Sequence, residues 1–173
     1  MNTYYTVEEK YLKAVEKVNY GSTPKALLLL KEIVENDPFF ARAHFQLGKL
    51  YYYDLNDYQA AGFHFKTCVE LEPSFPDVYY DYLKLAVFLN MEKLVPKIVA
   101  NGLATPGVCA DCMYELSGLF FEKNKDWAKS INAYQKALIE VTDKNQKENI
   151  EESIERVKAK MQHVKVYQYH LTG

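Results

Sequence analysis

The sequence predicts an all-α protein, a solenoid of about four helix pairs that is closed by a C-terminal helix. Pro38, Pro73 and Pro106 are separated by 35 and then 33 residues. Gly48 and Gly118 lie 70 residues apart, which is two such periods. The segments between these markers carry apolar residues at helical spacing, and periods of this size are typical of stacked helical units.

The second unit shows the helical pattern most clearly. Residues 41–52 form its first predicted helix. After a polar turn, Asp57 can cap a second helix, because an aspartate side chain accepts a hydrogen bond from the free amides of the first turn. Thr23 followed by Pro24 is a similar start signal in the first unit, and Asp126 repeats the aspartate in the last unit.

Two stretches carry residue patterns that resemble the tetratricopeptide repeat family. The first reads His44-x2-Leu47-Gly48-x2-Tyr51, then Ala61-x3-Phe65 and Pro73. The second reads Tyr114-x2-Ser117-Gly118-x2-Phe121, then Ser130-x3-Tyr134 and Ala137-Leu138. The resemblance implies one domain over residues 1–173, a right-handed α-solenoid with repeats at about 5–38, 41–75, 76–107 and 111–142 and a capping helix at about 144–166. Gly48 and Gly118 would let the two helices of a unit approach closely.

The first and third units match the repeat pattern less well. The third lacks a glycine at the helix crossing, and its second helix contains Pro96 and ends near Asn101-Gly102. Proline inside a helix removes a backbone hydrogen bond, so we expect this helix to be short or kinked.

The predicted closing helix carries one apolar stripe. Ile150, Ile154, Val157, Met161 and Val164 follow one another at alternating spacings of four and three residues. A solenoid needs its last apolar face covered, and this stripe is suited to that role. The alternative is that part of the stripe pairs with a second copy of the chain, so a homodimer stays open.

The residues that could carry chemistry do not form a recognisable catalytic site. Cys109 and Cys112 form a CxxC motif, but a redox pair is expected in a strand-to-helix context, and zinc would need two further ligands. We therefore predict a structural role for both cysteines, no cofactor, no metal and no enzymatic activity, and a metal or redox protein built on Cys109 and Cys112 stays open as a further alternative. His44 stands where the family usually has an aromatic residue, which predicts a packed ring.

Composition excludes several classes of function. The formal net charge is −2, with 21 basic and 23 acidic side chains, whereas nucleic-acid binders show a basic excess. No apolar run approaches the roughly 20 residues of a membrane helix, and Met1–Tyr5 lacks the basic-then-apolar pattern of a secretory signal. Three cysteines, an odd number, do not make a disulfide framework, so a reduced cytoplasmic setting is expected.

A binding surface is predicted on the first helix of each pair, because those helices line the concave side of such a solenoid. Phe45 and Tyr80 are 35 residues apart, as are Lys49 and Lys84. The expected groove residues are Arg42, Phe45, Lys49, Tyr53, Asp77, Tyr80, Asp81, Lys84, Phe88, Glu115 and Leu119. The same aromatic side chains could instead pack against neighbouring repeats and support them. The function expected from the groove is that of a non-enzymatic adaptor or scaffold for a peptide segment or protein surface.

Overall fold

The computed structural model describes the backbone of residues 6–171 and the side chains of residues 6–162. Over these residues the chain is all-α, with no strands, and its helices pack in consecutive pairs, which confirms the predicted fold class. The helices are α1 Val7–Asn19, α2 Thr23–Asn36, α3 Ala41–Lys49, α4 Tyr58–Leu71, α5 Asp77–Phe88, α6 Val95–Leu103, α7 Ala110–Lys123, α8 Trp127–Glu140 and α9 Lys144–Leu171.

The chain divides into two compact units, Met1–Leu85 and Ala86–Gly173, with the boundary inside α5. In the N-terminal unit, α1 packs against α2, and α3 packs against α4. In the C-terminal unit, α7 packs against α6 and α8, and α8 packs against α9. The single domain over residues 1–173 stays a prediction.

The turn inside each helix pair has the same backbone conformation. Gly21, Asn56, Asn90 and Lys125 all have positive φ, at 68°, 53°, 53° and 62°. These positions are 35, 34 and 35 residues apart, so each marks the end of the first helix of a pair. A residue in this left-handed conformation lets the last free carbonyls of a helix accept hydrogen bonds. The bonds run from Ser22 N to Lys17 O at 2.8 Å, from Met91 N to Ala86 O at 2.9 Å and from Asp126 N to Phe121 O at 2.9 Å.

The second helix pair, α3 and α4, departs from this pattern because its first helix ends in a wider turn. A π-helical turn, Leu50–Asp54, continues α3 beyond the predicted end at residue 52. The Leu55 amide donates to the Leu50 carbonyl at 3.1 Å, a bond that spans one residue more than in an α-helix. Single π-helical turns frequently occur at functional sites.

Two glycines allow the paired helices to approach closely, as predicted. A Cβ built on Gly48 would lie 2.5 Å from Phe65 Cδ1, and one built on Gly118 would lie 2.6 Å from Tyr134 Cδ1. At the second crossing, the Ser130 hydroxyl donates to the Gly118 carbonyl at 2.9 Å. Helix α8 therefore lies close enough to α7 for a side chain of α8 to contact the backbone of α7.

The C-terminal helix covers the last pair within its own unit. Ile150, Ile154 and Val157 are 0%, 6% and 0% exposed and form one cluster with Tyr134 and Ala137 of α8. This confirms the predicted capping role, although the backbone stays helical to Leu171 rather than ending near residue 166. The side chain of Val164, which also belonged to the predicted stripe, lies outside the described residues.

The helix starts follow the sequence signals with one correction. Asp57 accepts from the Ala60 amide at 3.0 Å, and Asp126 accepts from the Lys129 amide at 3.3 Å, as capping residues should. Pro96 lies in the first turn of α6 and not in its interior, so this helix is short without being kinked there. Of the helices described, none combines the length and apolarity needed to cross a membrane.

Candidate interaction site

The structure brings together one group of the predicted groove residues. Lys49, Tyr53, Tyr80, Asp81 and Lys84 lie side by side in the N-terminal unit, and we call them the tyrosine–lysine patch. The Tyr53 hydroxyl donates to Asp81 Oδ1 at 2.6 Å. The Lys84 ammonium lies 3.5 Å from the Tyr53 hydroxyl oxygen. Lys84 Nζ lies 5.0 Å from the centre of the Tyr53 ring and 5.9 Å from that of Tyr80, so it interacts with both π faces.

The patch combines exposed rings with a buried charge. Tyr53 is 45% exposed and Tyr80 is 39% exposed, whereas Asp81 is only 8% exposed. Burial raises the pKa of the Asp81 carboxyl, while the Tyr53 hydrogen bond and the ammoniums of Lys49 and Lys84 oppose the rise. A buried carboxylate with these partners fixes the orientation of the Tyr53 ring. The result is an exposed aromatic surface formed by Tyr53 and Tyr80, with the Lys84 ammonium close to both rings.

Phe45 and Arg42, two other predicted groove residues, also belong to the N-terminal unit, and Lys49 Nζ lies 5.3 Å from the centre of the Phe45 ring. Phe45 is 6% exposed, and its ring centre lies 5.3 Å from that of Phe75. It is therefore a packing residue and not an exposed anchor, because the ring of Phe75 and the neighbouring helix α4 cover it. Arg42 pairs with Glu8 Oε2 at 2.8 Å, and its guanidinium carbon lies 5.2 Å from the centre of the Tyr11 ring and 5.0 Å from that of Phe40.

The remaining predicted residues are exposed to different degrees. Asp77 is exposed in the N-terminal unit, and its charge raises the pKa of Asp81. In the C-terminal unit, Phe88 is 52% exposed and Leu119 is 40% exposed. Glu115 is half-buried and accepts from Gln146 Nε2 at 3.4 Å. Each of these three positions belongs to α5 or α7, the first helix of its pair.

Tyr52, which also lies in the π-helical turn, was not among the predicted groove residues. The ring centres of Tyr52 and Tyr53 are 4.6 Å apart, and Tyr52 is half-buried beside the patch. The charge of Asp81 contributes to a raised pKa of Tyr52, after the larger effect of burial. The run Tyr51-Tyr52-Tyr53 was visible in the sequence, but the extra residue of the π-helical turn was not.

His44, which is buried, and His64, which is half-buried, form a pair in the N-terminal unit. Their Nδ1 atoms are 2.9 Å apart, and His44 Nε2 lies 3.1 Å from the Pro38 carbonyl oxygen. A carbonyl can only accept, so His44 carries its proton on Nε2 and accepts from His64 Nδ1. Burial and the neighbouring His44 lower the pKa of His64 to about 4. Burial also lowers the pKa of His44. Both rings are therefore neutral near pH 7, as the packed role predicted for His44 requires.

A buried carboxylate ties α9 to α7 in the C-terminal unit. Glu122 is 6% exposed and accepts from Arg156 Nη2 at 2.8 Å, from Lys160 Nζ at 2.7 Å and from the Tyr134 hydroxyl at 3.1 Å. The Arg156 hydrogen bond is the main cause that lowers the pKa of Glu122 to about 2. All of its partners come from the same unit, so we interpret this cluster as structural.

The C-terminal unit also contains an open cleft of about 360 Å³ between α6, α7 and α8. Its walls are mostly apolar, with Val95, Val99 and Phe121 among the lining residues. Lys129 Nζ lies 5.6 Å from the Phe121 ring centre and is also paired with Asp126 at 2.6 Å. The predicted groove residues do not line this cleft.

The comparison with known proteins rests on three-dimensional structure. No protein-family model matches the chain, and no curated protein matches its sequence. MamA from Desulfovibrio magneticus RS-1 superposes over 96% of this chain and 91% of its own, at 20% identity and a TM-score of 0.77. Another crystal structure of MamA covers 95% of this chain and 87% of that chain, at 19% identity and a TM-score of 0.78.

The chain has a tetratricopeptide-repeat fold. PilW, described as a widely conserved type IV pilus biogenesis factor, is similar over 77% of this chain and 61% of its own, at 17% identity and a TM-score of 0.66. MamA and PilW are both tetratricopeptide-repeat proteins, so the resemblance seen in the sequence is confirmed. At these identities the likeness establishes the tetratricopeptide-repeat fold and not the binding partner.

Proposed function

We propose that this protein is a non-enzymatic adaptor or scaffold that binds a peptide segment or protein surface through the first helices of its pairs. The tetratricopeptide-repeat fold supports a protein partner in general. The observation that carries the choice of surface is the tyrosine–lysine patch, where the exposed rings of Tyr53 and Tyr80 have their centres 5.0 and 5.9 Å from the Lys84 ammonium. A cytoplasmic location remains part of the proposal.

The chemistry of the patch suits a partner with an apolar anchor beside a carboxylate. Tyrosine dominates many interfaces because a large ring with few rotatable bonds loses little entropy on binding. The hydrogen bond to Asp81 already orients Tyr53, so binding needs little further ordering. The ammoniums of Lys49 and Lys84 can pair with acidic groups of the partner.

The burial of Phe45 changes which substitutions should weaken binding. We expect Tyr53→Ala and Tyr80→Ala each to weaken partner binding by about 2 kcal/mol, the cost typical of an interface anchor. Phe45→Ala should instead lower the stability of the fold, because the ring is 6% exposed. Lys84→Ala should cost less than the tyrosine changes and should matter less at high salt.

A site-specific crosslinking experiment tests the proposal. A photo-reactive phenylalanine analogue at position 80 should capture a defined protein from the native host, and the tyrosine variants should then weaken binding of that purified partner. Position 139 provides the control, because Ile139 is 79% exposed on α8. If a crosslinker at position 139 captures the same partner, or if folded Tyr53→Ala and Tyr80→Ala variants bind it with full affinity, the patch is not the binding surface.

The alternative function is a structural subunit that associates with itself through α9. The apolar stripe offers little for this role, because Ile150, Ile154 and Val157 are buried within their own unit. Measuring the mass of the protein in solution over a range of concentrations distinguishes the two functions. A dimer that dissociates when exposed residues of α9 are changed would favour self-association.

A further inference from the structure

The three cysteines of the chain occupy two different environments. Cys68 is 0% exposed in α4, and burial raises the pKa of its thiol to about 12, so it is unreactive at neutral pH. Cys109 is exposed and Cys112 is half-buried, and their sulfur atoms are joined in a disulfide with the Cα atoms 5.3 Å apart. The sequence indicated a structural role for these two cysteines, but the fold brings them into bonding contact.

The pair lies at the start of a helix of 14 residues. Cys109 is the N-cap of α7, and Cys112 lies in the first turn. The free amides of a helix N-terminus favour a thiolate over a thiol, and they thereby make a cysteine a better nucleophile. Asp111 opposes this effect, since its Oδ1 atom lies 2.9 Å from Cys109 Sγ and can accept a hydrogen bond from the reduced thiol.

We propose that Cys109 and Cys112 form a reversible dithiol–disulfide site that exchanges with low-molecular-weight disulfides and thiols such as glutathione. In the oxidising direction, the Cys109 thiolate attacks one sulfur of the small disulfide, forms a mixed disulfide and releases one small thiolate. The Cys112 thiolate then attacks the Cys109 sulfur, closes the Cys109–Cys112 bond and releases the second thiolate. Two electrons pass from the pair to the small disulfide, and the two released thiolates take up the two protons.

The assignment of the two roles follows from exposure. Cys109 is the more exposed cysteine, so a small disulfide in solution can reach its sulfur. Cys112 is half-buried and three residues away, so it is suited to the second, intramolecular attack. Because the bond closes within one helical turn, both redox states can keep the same arrangement of α7 and α8.

Metal binding is the competing chemistry at this site. Cys109, Asp111 and Cys112 offer three ligand atoms within 4.8 Å of one another. Structural zinc usually takes four protein ligands, and the disulfide occupies both sulfurs. Zinc is therefore an outcome that the experiment must be able to detect.

The test is a redox titration of the full chain. Protein equilibrated in a series of glutathione buffers is trapped by rapid alkylation of the folded chain, and the intact mass then reports the number of accessible free thiols. We expect one transition between a form with two alkylated cysteines and a form with none, with Cys68 protected in both. The Cys112→Ser variant should retain about one glutathione per chain, because the second attack of the exchange is removed. The Cys109→Ser variant should form this adduct more slowly, since Cys112 is half-buried.

Several results would overturn the proposal. Two thiols that alkylate in the folded protein but never form a bond across the series would exclude the exchange. A disulfide that resists reduction in the folded protein would show a static bond, and stoichiometric zinc that protects both thiols would show a metal site. Circular dichroism of both redox forms serves as the control for folding, and Cys68→Ser confirms that the buried cysteine does not contribute.

Discussion

The glycines at the two close crossings give a quantitative test of the fold. In the Gly48→Ala variant, the new methyl group would lie 2.5, 2.6 and 3.1 Å from three atoms of the Phe65 ring. In Gly118→Ala, it would lie 2.6, 2.6 and 2.8 Å from three atoms of the Tyr134 ring. Both rings must move, yet Phe65 is 0% exposed and Tyr134 is 2% exposed, so little free space is available.

Two opposing effects set the size of the change. Overpacking a core by one methyl group costs about 1–3 kcal/mol, whereas replacing a mid-helix glycine by alanine contributes about 1 kcal/mol of helix propensity. Because both rings are buried, the clash should prevail, and each variant should lose up to about 2 kcal/mol of unfolding free energy. In a protein of this size, a loss of about 2 kcal/mol corresponds to a fall in Tm of roughly 4–8 °C.

Gly62 provides a matched control within α4. A Cβ at this position meets only Leu85 Cδ2, at 3.7 Å, which is an ordinary contact. Gly62→Ala should therefore keep the propensity gain and become more stable by about 0.5–1 kcal/mol. The same substitution is thus expected to change stability in opposite directions at Gly48 and Gly62.

Urea unfolding followed by far-ultraviolet circular dichroism measures these changes, with an unchanged denaturant slope as the check on the comparison. Combining Gly48→Ala with Phe65→Leu should recover part of the loss, because a smaller side chain leaves room for the methyl group. If Gly48→Ala and Gly62→Ala change stability by the same amount and in the same direction, the helices do not cross as closely as described.

Three further predictions concern charge, pH and backbone conformation. Glu122→Gln should lower stability by about 1–2 kcal/mol at pH 7. The wild type should lose stability as pH falls from 4.5 to about 2, because folding lowers the pKa of Glu122 to about 2, and calorimetry should show a smaller loss in the variant. The unfolding free energy of the wild type should also fall by about 2–3 kcal/mol between pH 6.5 and about 4, because the unfolded chain protonates His64 in that window and the folded chain does not. In the His64→Phe variant, the unfolding free energy should depend less on pH over the same window. Lys125→Gly should raise the urea midpoint, with a gain of about 0.5–1 kcal/mol, since Lys125 has a φ of 62° that glycine adopts without strain.

The sequence predicted those features that depend on local or periodic signals. Asp57 and Asp126 cap their helices because capping needs only one side chain and the amides two or three residues away. Gly48 and Gly118 could be recognised because each crossing repeats with the helix pair. The stripe on α9 was visible because apolar residues on one helical face require a covering surface.

Other features depend on residues that are far apart in the sequence. The 35-residue spacing placed Phe45 in the same row as Tyr80, but Phe75 covers only the first of these rings. Arg42 was also assigned to the groove; its ion pair with Glu8 connects it to α1, and its place in the groove stays a prediction. Spacing alone cannot separate these cases, because it gives the position on a helix and not the side chains that pack around it.

The amino-acid sequence by itself therefore determined the all-α class, the period of the helix pairs and the positions of the close crossings. Each of these follows from steric size, capping or periodicity along the chain. Only the tertiary structure decided that Tyr53 and Asp81 share a hydrogen bond and that Phe45 is buried whereas Tyr80 is exposed. Exposure and pairing are properties of neighbours in space: Tyr53 belongs to the π-helical turn of Leu50–Asp54, and Asp81 belongs to α5, 28 residues further along the chain.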